Sequence, residues 1–423
     1  MIDLKLLRES PDLVRRAVVN RGDSADVEKI IELDEVRRKG IVDLEALRQE
    51  RNRLSEEVGR RKKKGEAVDD LATRSREIGE KIKTVEEHQK MVEVEFERLV
   101  QYLPNIPHAS VPVGKGAEHN QFVRGQRKAP AYDFKPLPHW EIGEALDIID
   151  LKRSVKVAGS RFILLKGAGA ALERALINFF LDLHTRQHGY REVVPPVLNN
   201  PNALFGTGQL PRLAEEMYKC AADDFYLAPT AEVPVTNMHQ NEILAEKDLP
   251  LRYTAYTPCF RREAGSYGKD VRGITRVHQF NKVELVKFTT PETGYEEFEK
   301  LLGDAETAVK MLGLPYRILL LCTGDMTSAA AKTYDIEIYA PGMGEWLEVS
   351  SVSCYEQYQA RRGQIRYRKA TGGVDYVYTI NGSGLALPRT FIGIVEHCQT
   401  SDGRIRIPAV LRPYLDNREY LVS

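Results

Sequence analysis

Cysteine is sparse in this chain of 423 residues. The five, Cys220, Cys259, Cys322, Cys354 and Cys398, stand far apart and form no C-x-x-C pair. That spacing supplies neither a disulfide framework nor a cysteine zinc site, and buried free thiols are the simple reading. Long apolar runs are missing as well. Nowhere do about 18 hydrophobic residues follow one another, which excludes a spanning helix and with it a membrane partner. The start, Met1 to Asp12, mixes acids, bases and leucines without the apolar stretch of about 7 residues that an export signal needs, so a cytoplasmic protein is expected. Excess charge of either sign is also absent: Lys+Arg and Asp+Glu both total 61, for a net charge of +0. Any contact with a polyanion must therefore come from local patches.

What is present is the balance of a globular protein, 42% hydrophobic and 29% charged, with length for two or three domains at about 150 residues each. From Val27 to Val58 the chain is dense in Glu, Lys and Arg. Leu33, Leu44, Leu47, Leu54 and Val58 form a 3/4-spaced seam there, interrupted by Arg37, Gly40 and Arg51. A second seam runs through Leu71, Ser75, Ile78, Ile82, Val85, Gln89, Val92, Phe96 and Leu99. Each stripe has only a narrow face to bury, so the two predict an antiparallel helical hairpin joined by the basic turn Arg60-Arg61-Lys62-Lys63-Lys64-Gly65. At 1.5 Å per residue each arm reaches roughly 45–50 Å and should project. Pro104 and Pro107 stop the second helix, and Pro, Gly and His recur to Pro138 as in a linker.

Beyond His139 the pattern changes. Aromatic and β-branched residues alternate in Arg252–Phe260, Val277–Phe288, Tyr316–Cys322, Tyr334–Tyr339, Trp346–Ser351 and Tyr376–Ile380, which predicts strands. Few are followed by a crossover helix, so the fold class is α+β: a helical hairpin plus a mainly antiparallel β-sheet flanked by helices. The helices expected include Ala170–His188, after Gly167-Ala168-Gly169, and Pro291–Leu312.

Three segments carry chemistry. The first runs from Cys259-Phe260-Arg261-Arg262-Glu263 through a loop with three glycines to Thr275–Glu284. A hairpin bearing Arg261, Lys269, Arg272, Arg276 and His278 is a strong anion site. Glu263 and Glu284 point instead to a ligand with an amine edge as well as phosphates. The second is a strand feeding Gly382-Ser383-Gly384 and then an apolar helix with Arg389 in its first turn; such a glycine turn is more often a plain structural connection. The third is Glu345-Trp346-Leu347-Glu348-Val349-Ser350-Ser351. Strict alternation puts Glu348 and Ser351 on opposite faces, so a ligand site using both requires a bulge or turn.

In this order the segments resemble the seryl-tRNA synthetases, class II aminoacyl-tRNA synthetases, over essentially the whole chain. Gly189-Tyr190-Arg191-Glu192-Val193-Val194-Pro195 is similar to class motif 1, Phe260-Arg261-x-Glu263 through Glu284 to motif 2, and Gly382-Ser383-Gly384-x-x-x-x-Arg389 to motif 3. Pro229-Thr230-Ala231-Glu232-Val233-Pro234, Gly265-Ser266-Tyr267-Gly268 and the helical arm point to the serine enzyme. The resemblance implies a homodimer that activates L-serine with ATP and passes it to serine tRNA; whether selenocysteine tRNA is also charged stays open. It divides the chain into an N-terminal tRNA-binding domain (1–103, with the arm over about 27–100), a linker (104–138) and a catalytic domain (139–423).

By the same resemblance Arg261, Arg389 and Glu348 are catalytic. Thr230, Ala231, Glu232, Arg261, Glu284, Asn381 and Ser383 bind serine. ATP falls to Arg261, Arg262, Glu263, Arg276, Val277, Phe280, Glu348, Val349, Ser350, Ser351 and Arg389, with Mg²⁺ on Glu348 and Ser351. Arg51, Arg53, Arg60, Arg61, Lys62, Lys63 and Lys64 are implied to meet tRNA. The rival readings are an adenylate-forming relative that charges another acceptor, which the arm counts against, and an inactive nucleic-acid-binding scaffold, which the conjunction of Arg261, Glu263, Glu284 and Arg389 counts against.

Overall fold

A computed structural model describes residues 1–264 and 272–421; Gly265–Gly268 and Lys269 lie outside the described residues. The chain separates into two compact units, one of residues 3–19 and 23–104, the other of 1–2, 20–22 and 105–423.

In the first unit, α1 (Leu4–Glu9) and α2 (Pro11–Asn20) precede the hairpin of α3 (Val27–Lys63) and α4 (Asp69–Val100). Leu54, Leu71, Ile78 and Ile82 are buried between the two long helices, with Leu44, Leu47 and Val58 packed against them. Leu33, Val92, Phe96 and Val100 continue the seam towards the base. The interruptions in the α3 stripe have physical partners. Gly40 makes room for Gln89, whose Oε1 would lie 2.1 Å from a Cβ at that position. Arg37 lies 4.7 Å over the Phe96 ring and pairs with Glu93 at 3.2 Å. Asp34 is buried because Arg8, Arg37 and Arg38 surround it, and the hydrogen bond from Arg8 leads the causes that hold its carboxyl down at about 2.

The basic run differs from the expected turn. Arg60–Lys63 are the last turn of α3, and the reversal falls on Lys64 and Gly65, whose φ is +73°. Four cations there complement the negative end of the helix, and Asp69 and Asp70 do the converse at the start of α4. Arg60 and Arg61 are engaged by Glu57, so Lys62–Lys64 present the exposed charge, as do Arg51 and Arg53 further down.

The second unit is built on an eight-stranded sheet. In chain order the strands are β1 (Gln121–Gly125), β2 (Arg191–Glu192), β3 (Leu251–Phe260), β4 (Gln279–Thr289), β5 (Tyr316–Leu320), β6 (Lys332–Ala340), β7 (Glu345–Glu356) and β8 (Tyr378–Ala386). Their spatial order is β1-β5-β6-β7-β8-β4-β3-β2. Every pairing is antiparallel except the short β2–β3 edge. The stretch read as linker thus supplies an edge strand, β1. Among the helices of this unit are α5 (His139–Ala145), α6 (Gly167–Arg186), α7 (Glu232–Asn237), α8 (Gly294–Leu312) and α9 (Leu387–His397). Leu172, Leu176, Phe179 and Phe180 of α6, Phe298 and Leu302 of α8 and Phe391 and Ile394 of α9 share one core with the sheet. Among the described residues no helix is long and apolar enough to cross a membrane.

Two local expectations are corrected. Gly382-Ser383-Gly384 is not a turn before a helix but the middle of β8. Its glycines are there for close packing: a Cβ on Gly382 would lie 2.8 Å from Val352 Cγ2, and one on Gly384 2.9 Å from His184 Nε2. Helix α6 begins within Gly167-Ala168-Gly169, not after it, since glycine at a helix end forfeits less than in the interior.

Helix α6 also turns a carboxyl onto the sheet. Asn281 donates to Glu173 at 3.1 Å and itself accepts from Tyr256 at 3.0 Å, and burial pushes Glu173 up to about 7. An acid raised on folding favours the native state below its unfolded value, about 4.3, and that contribution is lost as pH rises through 7. Glu173→Gln, which keeps an acceptor without the charge, should therefore be more stable than the parent at pH 8, the gain fading towards pH 4.5. Urea unfolding at several pH values measures this, and a gain independent of pH contradicts it.

Candidate active site

A cavity of about 760 Å³ opens on one face of the sheet where β4, β7 and β8 converge with the start of α9. Strand alternation explains one wall: Phe280, Lys282 and Glu284 of β4 all face the cavity because they are two residues apart. Phe280 supports the Arg261 guanidinium, which lies 5.3 Å from its ring centre while Arg261 Nε donates to Pro229 O at 3.2 Å.

The deepest part of the wall is a buried charge cluster. Lys282 Nζ donates to Thr230 Oγ1 at 2.8 Å and pairs closely with the Glu284 carboxylate, and Thr230 donates to the same carboxylate at 3.3 Å. Glu232, at the start of α7, accepts from Gln359 Nε2 at 2.7 Å, while Gln359 Oε1 accepts from Thr379 at 2.7 Å, which fixes the amide. Burial and then the neighbouring Glu284 raise the Glu232 carboxyl above its ordinary value. Asn381 and Ser383 of β8 face the same space; the Asn381 amide lies against the Glu232 carboxyl and its Oδ1 accepts from Tyr355 at 3.4 Å.

The opposite end is anionic and cationic at once. The register between β6 and β7 shifts so that Ile336 pairs with Ser350 but Glu337 with Glu348. Val349 is the extra residue, and the bulge turns both Glu348 and Ser351 to the cavity, which strict alternation forbids. Arg389, in the first turn of α9, donates from Nη1 to the Glu348 side chain at 2.7 Å and to its carbonyl at 2.8 Å. Burial alone would raise Glu348; Arg389, helped by Arg261 and Lys282, outweighs it and holds the carboxyl below its usual range. Glu263, at φ +52°, accepts from Arg276 at 3.3 Å on the rim, and Val277 lines the wall beside it.

Four of the expected site residues do not line the cavity. Ala231 packs into the apolar cluster with Val235 and Tyr253, Arg262 is exposed, Val349 is in the main core, and the Ser350 hydroxyl donates to Ser383 O at 2.7 Å. Of the wider basic set, Arg272 stacks on Trp140 at 5.0 Å, and His278 Nδ1 lies 3.1 Å from Arg261 O. Lys282, Gln359 and Asp335 were not singled out from the sequence. Lys282 carried a signal, the period-2 step from Phe280 to Glu284. Gln359 carried none, since it reaches Glu232 from a distant segment. Asp335, paired with Ser351 across β6–β7, is raised well above an ordinary carboxyl by burial and then by Glu348. No group of three or more His, Cys, Asp or Glu suited to a metal occurs among the described residues.

Antiparallel sheet, arginine-bearing hairpin and arginine-led helix together define a class II aminoacyl-tRNA synthetase core. Residues 218–398 match the family model of the tRNA synthetase class II core domain (G, H, P, S and T), and residues 1–107 that of the seryl-tRNA synthetase N-terminal domain. A serine–tRNA ligase of Thermodesulfovibrio yellowstonii is 50% identical over 98% of this chain and 99% of its own length. One of Carboxydothermus hydrogenoformans is 50% identical over 98% of each. The crystal structure of seryl-tRNA synthetase from Pyrococcus horikoshii complexed with ATP superposes with a TM-score of 0.94 at 39% identity, covering 100% of this chain and 99% of that one. The chain belongs to the seryl-tRNA synthetase family.

The Lys282–Glu284 pair is buried, so removing one partner leaves an uncompensated charge. Lys282→Met should lower stability by about 3–5 kcal/mol, and adding Glu284→Gln should restore most of it; urea unfolding of both variants reads the outcome, and equal loss in each refutes the pairing.

Proposed function

We propose that this protein joins L-serine to serine tRNA in two steps: the serine carboxylate attacks the α-phosphorus of ATP, giving seryl-adenylate and pyrophosphate, and a hydroxyl of the tRNA terminal ribose then takes the acyl group, releasing AMP. The observation that carries this reading is one cavity with the guanidinium of Arg389 at one end, the carboxylates Glu232 and Glu284 at the other and the guanidinium of Arg261 between them. The carboxylate nucleophile is already ionised at neutral pH, so positioning and charge neutralisation are the main requirements.

The roles follow from the placement. Arg261, between the two ends, bridges the serine carboxylate and the α-phosphate and stabilises the charge that develops there. Arg389 holds the far phosphates, with Arg276 beside it. Phe280 offers a face for the adenine ring, and Glu263 an acceptor for its amine. Glu284 and Glu232 take the serine ammonium group. Asn381 and Ser383 read the hydroxyl. A pocket built to pair a hydroxyl rejects an analogue lacking it by about 10⁴–10⁵.

Mg²⁺ suits the site. The bulge brings a carboxylate, Glu348, and a hydroxyl, Ser351, to one face, and both are hard oxygen donors; the ion they would hold neutralises phosphate charge. We assign residues 1–103 to tRNA binding, with Lys62, Lys63 and Lys64 on phosphates and Arg51 and Arg53 extending the strip. Residues 139–423 form the catalytic part. A cytoplasmic homodimer fits motif 1, where Val194 is 88% exposed in the isolated chain, an apolar surface that a second copy would cover. Charging of selenocysteine tRNA is tested by the same assay with that tRNA.

Serine alone among the amino acids should support ATP–pyrophosphate exchange. Arg261→Ala should lower that exchange by about 10²–10³ or more with unfolding unchanged; near-normal exchange removes the role given to it. Deleting residues 27–100 should spare serine activation and impair tRNA charging, with a weaker salt dependence of what remains. Equal loss of both activities contradicts a separable tRNA reader.

A further inference from the structure

Glu396 of α9 lies outside the cavity, wholly buried, and all its acceptor capacity is in use. Oε1 accepts from the His139 backbone N–H and from His139 Nδ1, both at 2.8 Å. Oε2 accepts from the N–H groups of Gly342 at 2.8 Å and Met343 at 3.1 Å. A single carboxylate thus ties the start of α5 and the β6–β7 connection to α9, the helix whose first turn carries Arg389.

His139 is equally buried, and its other nitrogen faces the segment that leads back into β4. Ile274 N–H donates to Nε2 at 3.1 Å, and Gly273 passes so near that a Cβ there would lie 2.1 Å from that nitrogen. With a backbone donor on Nε2, the ring proton resides on Nδ1, where Glu396 receives it. One residue on, Thr275 O accepts from Arg389 Nε at 3.4 Å. The peptide run Ile274–Thr275 is therefore gripped from both sides, by an imidazole at its N–H and a guanidinium at its carbonyl, and both grips lead back to α9. The next two residues, Arg276 and Val277, line the cavity.

We infer that His139 and Glu396 are positioning residues for the nucleotide end of the active site: Glu396 fixes the tautomer of His139, and the bare Nε2 so created anchors Ile274 and thereby sets Arg276, Val277 and Arg389. This rests on the reading that this end of the cavity binds ATP. Glu396→Gln replaces four accepting lone pairs with an amide that has one oxygen. When its NH₂ meets His139 Nδ1, the ring proton moves to Nε2 and two N–H groups confront each other at Ile274. The serine end, held by Lys282, Thr230 and Gln359, has no part in this chain of contacts.

Full-length Glu396→Gln and His139→Phe are compared with the unaltered protein in serine-dependent pyrophosphate exchange, normalised to titrated active sites. The KM for ATP should rise about tenfold, the scale of one lost hydrogen bond, with the KM for serine within about twofold, and the Ile274 amide should exchange faster with deuterium. Unchanged ATP KM, a parallel rise in both KM values, or unchanged Ile274 protection overturns the inference. The ¹⁵N spectrum of histidine-labelled unaltered protein should show His139 protonated at Nδ1 and bare at Nε2; the opposite tautomer overturns it even where a variant fails to fold. Absence of serine-dependent exchange in the unaltered protein would defeat the ligase reading instead, while the amide-exchange and tautomer measurements would still decide the anchoring.

Discussion

A cavity that takes in both a polyanion and an ammonium group must hold cations and carboxylates a few ångströms apart, with little water to screen them. Charge compensation between neighbouring segments is how this structure meets that demand. Lys282 answers Glu284 along β4, Arg389 answers Glu348 between α9 and β7, and Arg276 answers Glu263 across the return of the hairpin. Lys282 and Glu284, the deeply buried pair, offset each other's loss of water. Where the partners come from different elements, as Arg389 of α9 and Glu348 of β7 do, the charge balance also ties those elements together. The Glu232 carboxyl is less fully compensated, and its upward shift records that.

Backbone irregularity does the positioning that side chains alone cannot. A regular β7 would turn Ser351 away from Glu348; the extra residue at Val349 brings them to one face and sends Val349 into the core. A second shift, between Ser383 and Ala386 on β8, accompanies Leu385 at φ +120° and delivers the chain into α9 with Arg389 one turn on. Sheets place bulges where a side chain has to be re-aimed, and here both lie in the strands beneath the cavity. Further shifts fall on β1 between Phe122 and Arg124 and on β7 between Cys354 and Glu356, and the apolar core of the sheet with α6, α8 and α9 provides the rigidity on which placement of charged groups depends.

The hairpin unit is stabilised differently. Its apolar seam is narrow, and much of the remaining contact is between long charged side chains, such as Arg48 with Glu86 and Arg74 with Glu50. Exposed pairs of this kind each contribute little, so the buried stripe and the threefold-paired Asp34 supply the specific contacts. Such a surface leaves exposed charge, as on Lys62–Lys64, available to another molecule.

The amphipathic periods of α3 and α4, six of the eight strands of the sheet and the motif residues Arg261, Glu263, Glu284 and Arg389 were legible in the sequence. Each follows from local pattern: a 3.6-residue or 2-residue repeat states which face is buried, and clustered charge on a strand states where chemistry is concentrated. The sequence also posed one question it could not answer, how Glu348 and Ser351 could serve one ligand. Only pairing with β6 decided it, since a bulge is a mismatch between two strands and neither strand records it alone. In the same way Gly382-Ser383-Gly384 reads as a turn until the helix and strand that press on it are in place. Gln359, Glu396 and His139 reach their partners from more than 100 positions away, and such contacts exist only once the chain has closed on itself. Local periodicity therefore determined the elements and most of the reactive groups; tertiary packing decided which faces meet, because that depends on long-range register and shape rather than on neighbouring residues.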